Sequence, residues 1–326
     1  MGYLLKYVVP LFITVLLCRL LFVDVDFGEM WVTVRDRCHF EFIVIALCVS
    51  IFSHIFRAMR WRIQLQALNI AAPLFTLVLS IFGTYAVNLV LPRLGELWRT
   101  AYVAKRQKAE FSTVFGSMVA DRFADSLTVL LLLVVALFLS GLGNGTFIGE
   151  DTVMRIGSLI SSPWIWLGFA AIISLIWWIL KKHSGNALFL KIKHFIRGLW
   201  AGFAIVATMP GRGRWLLLTA CIWGCYFFQL YIAFFAFDFT AQIVHTYGLV
   251  AVLVTFVLSS LSMAVPSNGG IGPWQWSVII ALGLYGLDKA QGTIFANLVM
   301  GTQTILLIVL GLFTFGCIAL QKKQRV

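Results

Sequence analysis

Apolar residues run in long blocks separated by short polar stretches, without the strict alternation of half-buried strands. The blocks occupy 4–23, 40–59, 71–92, 112–140, 163–180, 215–237, 247–265, 273–287 and 291–320. About 20 apolar residues cross a hydrocarbon core of about 30 Å, so most of the blocks are long enough for transmembrane helices. None of the connections is large enough to be a folded soluble domain. The longest polar stretch, 181–214, contains KIKHFIRGLWAGFAIVATM, with apolar positions at helical spacing beside Lys191, Lys193 and Arg197. That pattern predicts a helix lying along the membrane surface. Two blocks are interrupted. Pro73 and Pro92 bracket one that carries Gly83 and Thr84 near its middle, and VPSNGGIGPW (265–274) divides another into two short pieces.

Composition makes this a membrane protein and excludes a water-soluble enzyme. Of the 326 residues, 61% are hydrophobic and 12% charged, against roughly 45–50% and about 25% in a soluble domain. The six cysteines show no CxxC pair or dense spacing, and the five histidines show no HExxH or other ligand spacing, so neither a disulfide framework nor a metal site is expected. The first block carries Arg19 and exits through FVDVDFGEM without a small-residue cleavage site, which predicts a retained span.

The net charge of +12 is placed by the rule that basic loops stay in the cytoplasm. Arg57, Arg60 and Arg62 precede the block 71–92, and Arg93, Arg99, Lys105, Arg106 and Lys108 follow it. Both flanks belong inside, so this block is predicted to dip in and return as a re-entrant hairpin, turning near Gly83 and Thr84. The acidic segment 24–41 and the segment 141–162 belong outside; 181–214 and the tail with Lys322, Lys323 and Arg325 belong inside. The expected fold is an all-α integral membrane protein with about six full spans plus two re-entrant or broken helical hairpins in inverted halves. It forms one polytopic membrane domain. Its parts are a first span and outer loop (1–39), a first half (40–140), a linking span and surface helix (141–214), an inverted second half (215–320) and a basic tail (321–326). Loop charge leaves open whether 247–265 and 273–287 cross fully.

Three clusters carry candidate chemistry. In PRLGELWRTAYVAKRQK (92–108), Arg93, Glu96 and Arg99 recur every third residue and share a helix face, either gripping a lipid phosphate or satisfying one another at the interface. In VADRFADSLTVLLLL (119–133), Asp121, Arg122 and Asp125 head an apolar helix. They snorkel if near its end, and if deep they need partners or a wet cavity, because an unpaired charge there costs at least about 2.5 kcal/mol. In AVPSNGGIGPWQW (264–276), Ser267, Asn268, Gly269, Gly270 and Gly272 precede Pro273 and Gln275. This is a helix break that also supplies backbone N–H groups for an anion. No GK[ST] follows the glycines, so nucleotide binding is not expected.

RAMRWRIQL (57–65), PRLGELWRTAYV (92–103), DRFADSLTVLLL (121–132) and PSNGGIGPWQW (266–276) occur in the order and at about the spacing of one family. The chain resembles the lysylphosphatidylglycerol synthase transmembrane family, which includes the flippase half of the multiple peptide resistance factor. The resemblance covers the chain from the second span to the last. It implies that Gly95, Glu96 and Arg99 match the family's G-E-x-x-R element, Arg122 and Asp125 its R-x-x-D, and Gly269, Gly270 and Gly272 its glycine turn. Trp274 and Gln275 stand where the family usually has an Arg-Glu pair. That departure takes two charges out of the candidate site and leaves the headgroup open among phosphate-bearing lipids, aminoacylated and glycan-linked ones included. No segment here encodes the soluble aminoacyltransferase of two-domain relatives.

The function expected is therefore a lipid flippase in the cytoplasmic membrane of a prokaryote, with both termini cytoplasmic, no cofactor and no catalytic residue. Membrane lipids are the expected partners, a homodimer and a separate lipid-modifying enzyme are further expectations, and nucleic acid is not a partner. Two alternatives stand beside it. One is a membrane enzyme acting on a polyprenyl or phospholipid phosphate, with Asp121 or Asp125 as the carboxylate. The other is a non-catalytic subunit of an envelope-assembly complex.

Overall fold

The computed structural model describes residues 27–91, 93–141, 174, 187–265 and 267–323. The expected first span, 4–23, and the block 163–180, apart from residue 174, lie outside the described residues. The described regular structure is helical throughout. A short helix α1 (Phe27–Arg37) precedes α2 (Phe40–Ala67), α3 (Leu74–Val90), α4 (Leu94–Gln107) and α5 (Phe111–Gly141). Then come α6 (Ala187–Thr208), α7 (Arg212–Ala233), α8 (Asp238–Ser262), α9 (Pro273–Gly283) and α10 (Lys289–Lys323). Helices α2, α5, α7, α8 and α10 are long and apolar enough to cross a membrane. Leu131, Phe138 and Leu312 on α5 and α10 are exposed, an apolar surface suited to lipid rather than water.

The first hairpin differs from the expectation in where it turns. Helix α3 runs unbroken through Gly83 and Thr84 and ends at Val90, and α4, from Leu94, is the returning limb. Arg93 takes the left-handed conformation at the turn (φ 61°). A Cβ on Gly95 would lie 2.1 Å from the Thr84 carbonyl oxygen, and the Gly95 N–H donates to Asn88 Oδ1 at 2.8 Å, so the limbs touch. At about 1.5 Å per residue the limbs of 17 and 14 residues rise about 25 and 21 Å, short of a full crossing. Leu65 at the end of α2, Ile70, Val103 and Ala104 near the end of α4, and Val114 at the start of α5 share one core cluster. The hairpin therefore enters and leaves at the same end of the molecule.

The second half repeats this at the opposite end. Helix α8 is broken at Gly248 (φ 67°, ψ −156°), so its second piece, 249–262, rises only about 21 Å before the glycine turn. The returning limb, α9, has 11 residues. Phe234 and Phe237 after α7, Ala251 and Val252 in α8, Leu282 at the end of α9 and Phe295 in α10 form a separate core with Ile43 of α2. The two hairpin tips meet between these cores. The Arg93 guanidinium donates to the Ala264 carbonyl, and Gly269, in the left-handed region (φ 64°), sits where a Cβ would lie 2.6 Å from Leu89.

The helix expected over 181–214 is α6, and it packs along the first part of α5 through small residues. A Cβ on Gly116 would lie 2.1 Å from the Leu199 carbonyl oxygen, and one on Gly202 would lie 2.2 Å from that of Thr113. Lys191, His194 and Arg197 remain exposed on its other side.

Candidate functional site

Where the hairpin tips meet, three helices bring charge into the protein interior. Arg57 and Arg60, three residues apart on α2, share a face, and neither is more than 3% exposed. Asp121, Arg122 and Asp125 come from α5, the aspartates about 15 and 21 Å along the helix from its start. Glu96 and Arg99 come from α4.

Asp125 is the hub. Its Oδ2 accepts from Arg57 Nη1 at 2.6 Å and its Oδ1 from Arg60 Nη2 at 2.8 Å. Asp121, fully buried, lies 2.6 Å from Arg60, 3.6 Å from Arg57 and 3.7 Å from Arg99. Arg60 also donates to Thr219 Oγ1 at 3.2 Å, and Arg57 to the Tyr226 hydroxyl at 3.2 Å. The guanidinium of Arg99 stands 4.6 Å from the Trp61 ring centroid, and none of its nitrogens has a hydrogen-bond partner among the described residues. Its charge is held by Asp121 and the ring face. Burying an ion in this way is tolerable only because each has a counter-ion close by.

Arg122 is different. Its contacts are long, 3.7 Å to Asp125 and 3.9 Å to Glu96, and 37% of its side chain is exposed. By formal charge the group sets four arginines against three carboxylates, leaving one positive charge in excess. Arg122, Arg57 and Asp125 line a cavity of about 320 Å³ that extends to Ser50, Gln229 and Gln303, with Trp223 and Trp274 in its wall. Electrostatically this is a niche for an anion, with bidentate donors on its floor.

The residues singled out in the sequence divide into three groups. Arg99, Asp121, Arg122, Asp125 and Glu96 come together in the ion cluster. Arg93 does not join it and instead ties one hairpin tip to the other. Of the glycine turn, Gly269 lines the cavity, while a Cβ on Gly270 would meet Met263 at 2.5 Å, so that glycine serves close packing. Ser267 is a buried residue whose hydroxyl donates to the Val265 carbonyl at 3.5 Å, and the Asn268 carbonyl accepts from the Ile271 N–H. The Gly272 N–H donates to Gln275 Oε1 at 2.7 Å, and Gln275 Nε2 donates to Asn297 at 2.9 Å. Gln275 thus occupies one of the N–H groups that could have met an anion at the start of α9.

Arg57 and Arg60 were counted above with the cytoplasmic loop charges. They lie inside α2, which continues to Ala67, and the signal was their i, i+3 spacing in a helix still apolar around them. The neutral polar residues His54, Tyr85, Tyr226, Gln229 and Gln303 lay unmarked in apolar blocks, although a polar side chain in a span is the same kind of flag as a charge.

Comparison with curated proteins gives no match, and comparison with solved structures gives none either. A family model described as the lysylphosphatidylglycerol synthase TM region matches residues 7–311, which takes in both hairpins, the ion cluster and the cavity. The chain is thus a multi-pass membrane protein that belongs to the lysylphosphatidylglycerol synthase transmembrane family, a family of lipid metabolism and transport.

Proposed function

We propose that this protein is a flippase that moves a phosphate-bearing lipid across the cytoplasmic membrane of a prokaryote, with both termini cytoplasmic. The observation that carries this reading is Arg122, a cavity-lining arginine whose charge its neighbours only partly balance. A lipid phosphate beside Arg122 and Arg57 would complete the charge balance of the cluster. The acyl chains would stay in the bilayer while the headgroup passes between the hairpin tips. Those tips are joined by Arg93 and the close approach of Gly269, contacts a headgroup must part. The inverted placement of the two hairpins supplies equivalent inward-facing and outward-facing arrangements.

This function needs no catalytic residue. Asp125 accepts from two arginines at 2.6 and 2.8 Å and Asp121 sits 2.6 Å from one, which favours a fixed, ionised pair over a proton donor or nucleophile. Membrane lipids are the partners, and a gradient or downhill exchange is the energy source.

A panel of headgroup-labelled phosphate-bearing lipids, phosphatidylglycerol and a glycan-linked lipid among them, tests the reading in proteoliposomes, with the native chain compared with Arg122→Gln and each lipid recovered for mass spectrometry. Translocation without chemical change, lost in the variant, is expected. A changed lipid would favour the enzyme reading, and neither transport nor product would favour a non-catalytic subunit.

A further inference from the structure

The uncharged part of the cavity lining has a chemistry of its own. Gln229 Nε2 donates to Gln303 Oε1 at 2.9 Å, and Gln303 Nε2 donates to Ser50 Oγ at 2.9 Å, a relay joining α7, α10 and α2. His54 lines the same cavity, is 3% exposed, and has no hydrogen-bond partner on either ring nitrogen among the described residues. Trp223 Nε1 also lacks one. Buried polar atoms without partners are rare in folded proteins and call for an explanation. A neutral imidazole offers one donor and one acceptor and an indole offers one donor, which together suit hydroxyl groups, each of them donor and acceptor at once.

Charge argues the same way. Asp125 is the carboxylate lining the cavity, and Arg57 and Arg60 already occupy both its oxygens. Among the described residues that line the cavity, an ammonium group on the headgroup would find no free carboxylate. Gln275 is taken up by Gly272 and Asn297, and Trp274 presents an indole to the cavity instead of a charge. Flat indole faces and neutral amides are the surfaces that hold the two aspects of a sugar ring, its C–H faces and its hydroxyl rim. The volume, about 320 Å³, lies at the small end of ligand cavities, which run from about 300 to 1,000 Å³, and admits one ring with its phosphate rather than an oligosaccharide.

We propose that the cavity takes a lipid phosphate bearing a single neutral, polyhydroxylated ring, with the phosphate at Arg122 and the ring between the two tryptophans and the His54–Gln303 wall. The proposal rests on the assignment of phosphate to Arg122 made above and adds the class of headgroup.

The test is a binding series on the full chain in nanodiscs, read by tryptophan fluorescence and thermal stabilisation. The probes are a polyprenyl phosphohexose, phosphatidylglycerol, lysylphosphatidylglycerol, a hexosyl diacylglycerol without phosphate, and soluble hexose 1-phosphate. The phosphohexose lipid is expected to bind at least about tenfold more tightly than any other probe. Gln303→Leu and, separately, His54→Phe should reduce it to the level of phosphatidylglycerol while leaving phosphatidylglycerol unchanged. Equal or tighter binding of phosphatidylglycerol or lysylphosphatidylglycerol would overturn the ring site and leave the phosphate reading standing. Tighter binding of the hexosyl diacylglycerol, or failure of every phosphate-bearing lipid to bind, would overturn both. Tightest binding of soluble hexose 1-phosphate would replace the lipid by a free sugar phosphate. The rank order on the native chain decides these cases even where a variant fails to fold.

Discussion

Replacing Asp121 by Asn keeps the shape of a fully buried side chain and removes its charge. Arg57, Arg60, Arg99 and Arg122 are then opposed only by Asp125 and Glu96, and the excess positive charge rises from one to two. At 2.6 Å from Arg60, the lost attraction is bounded by about 6 kcal/mol at an effective dielectric constant of about 20. Breaking a buried pair from one side costs about 3–5 kcal/mol, because the remaining charge stays desolvated. That is a large part of a typical stability of about 5–15 kcal/mol. Removing Arg60 instead, as Arg60→Met, takes the excess to zero, and Asp121 keeps Arg57 and Arg99 within 3.7 Å, so this change should cost less than Asp121→Asn. The double variant restores the original excess and should recover about 1–3 kcal/mol relative to the sum of the singles, the coupling typical of residues in direct contact. The assay is reversible unfolding in mixed detergent micelles of all four proteins. Additivity within about 0.5 kcal/mol, or a cost for Asp121→Asn below about 1 kcal/mol, would refute the ion cluster as a coupled unit.

Other expectations follow from particular contacts. Gly116→Ala places a Cβ 2.1 Å from the Leu199 carbonyl oxygen, backbone that cannot step aside, so α6 should separate from α5 and the unfolding assay should register a loss of about 1–3 kcal/mol. Gly269→Ala adds a side chain to a left-handed residue beside Leu89. It should cost about 1–2 kcal/mol from conformation alone and weaken a disulfide engineered between the hairpin tips, measured as slower cross-linking. Cys38, just before α2, has its thiol pushed up to about 11, first by burial and then by the Glu41 carboxylate, both of which disfavour the thiolate. In a chain with its other cysteines replaced, the maleimide labelling rate should rise about tenfold per pH unit from about pH 7 to 10, and Glu41→Gln should raise the rate at each pH; a flat profile would contradict the assignment.

What the sequence made legible was set by features that repeat or punctuate. Apolar blocks long enough to span gave the helices, and the glycine-proline run at 266–273 gave the second hairpin turn, where Gly269, Gly270 and Gly272 all adopt positive φ. The first turn was misplaced because Gly83 and Thr84 look like breakers, yet a helix tolerates both. The chain reverses where Leu91, held extended before Pro92, leaves the helix. Arg57 and Arg60 were misplaced because a basic residue near the end of an apolar block satisfies the loop-charge rule whether it faces the cytoplasm or a buried aspartate. Only the fold brings Asp125 to them, 65 and 68 positions away. The Gln229–Gln303–Ser50 relay has partners 74 and 253 positions apart, so no local spacing announces it.

The proposed function separates two tasks that a backbone anion site would have merged. Gln275 bonds the Gly272 N–H at the start of α9, and the glycine turn packs the second hairpin against Leu89, while Arg122 is the residue that the proposed function assigns to the phosphate. On the proposed function, phosphate recognition rests on the ion cluster, shared between α2, α4 and α5 of the first half, and headgroup recognition on the cavity lining from α2, α7, α9 and α10. Trp274 lines the cavity and Gln275 bonds Gly272 and Asn297, and neither is a member of the ion cluster. On that reading, variants at Gln229 or Gln303 should shift which lipid binds, while variants at Arg122 should abolish binding of every anionic one.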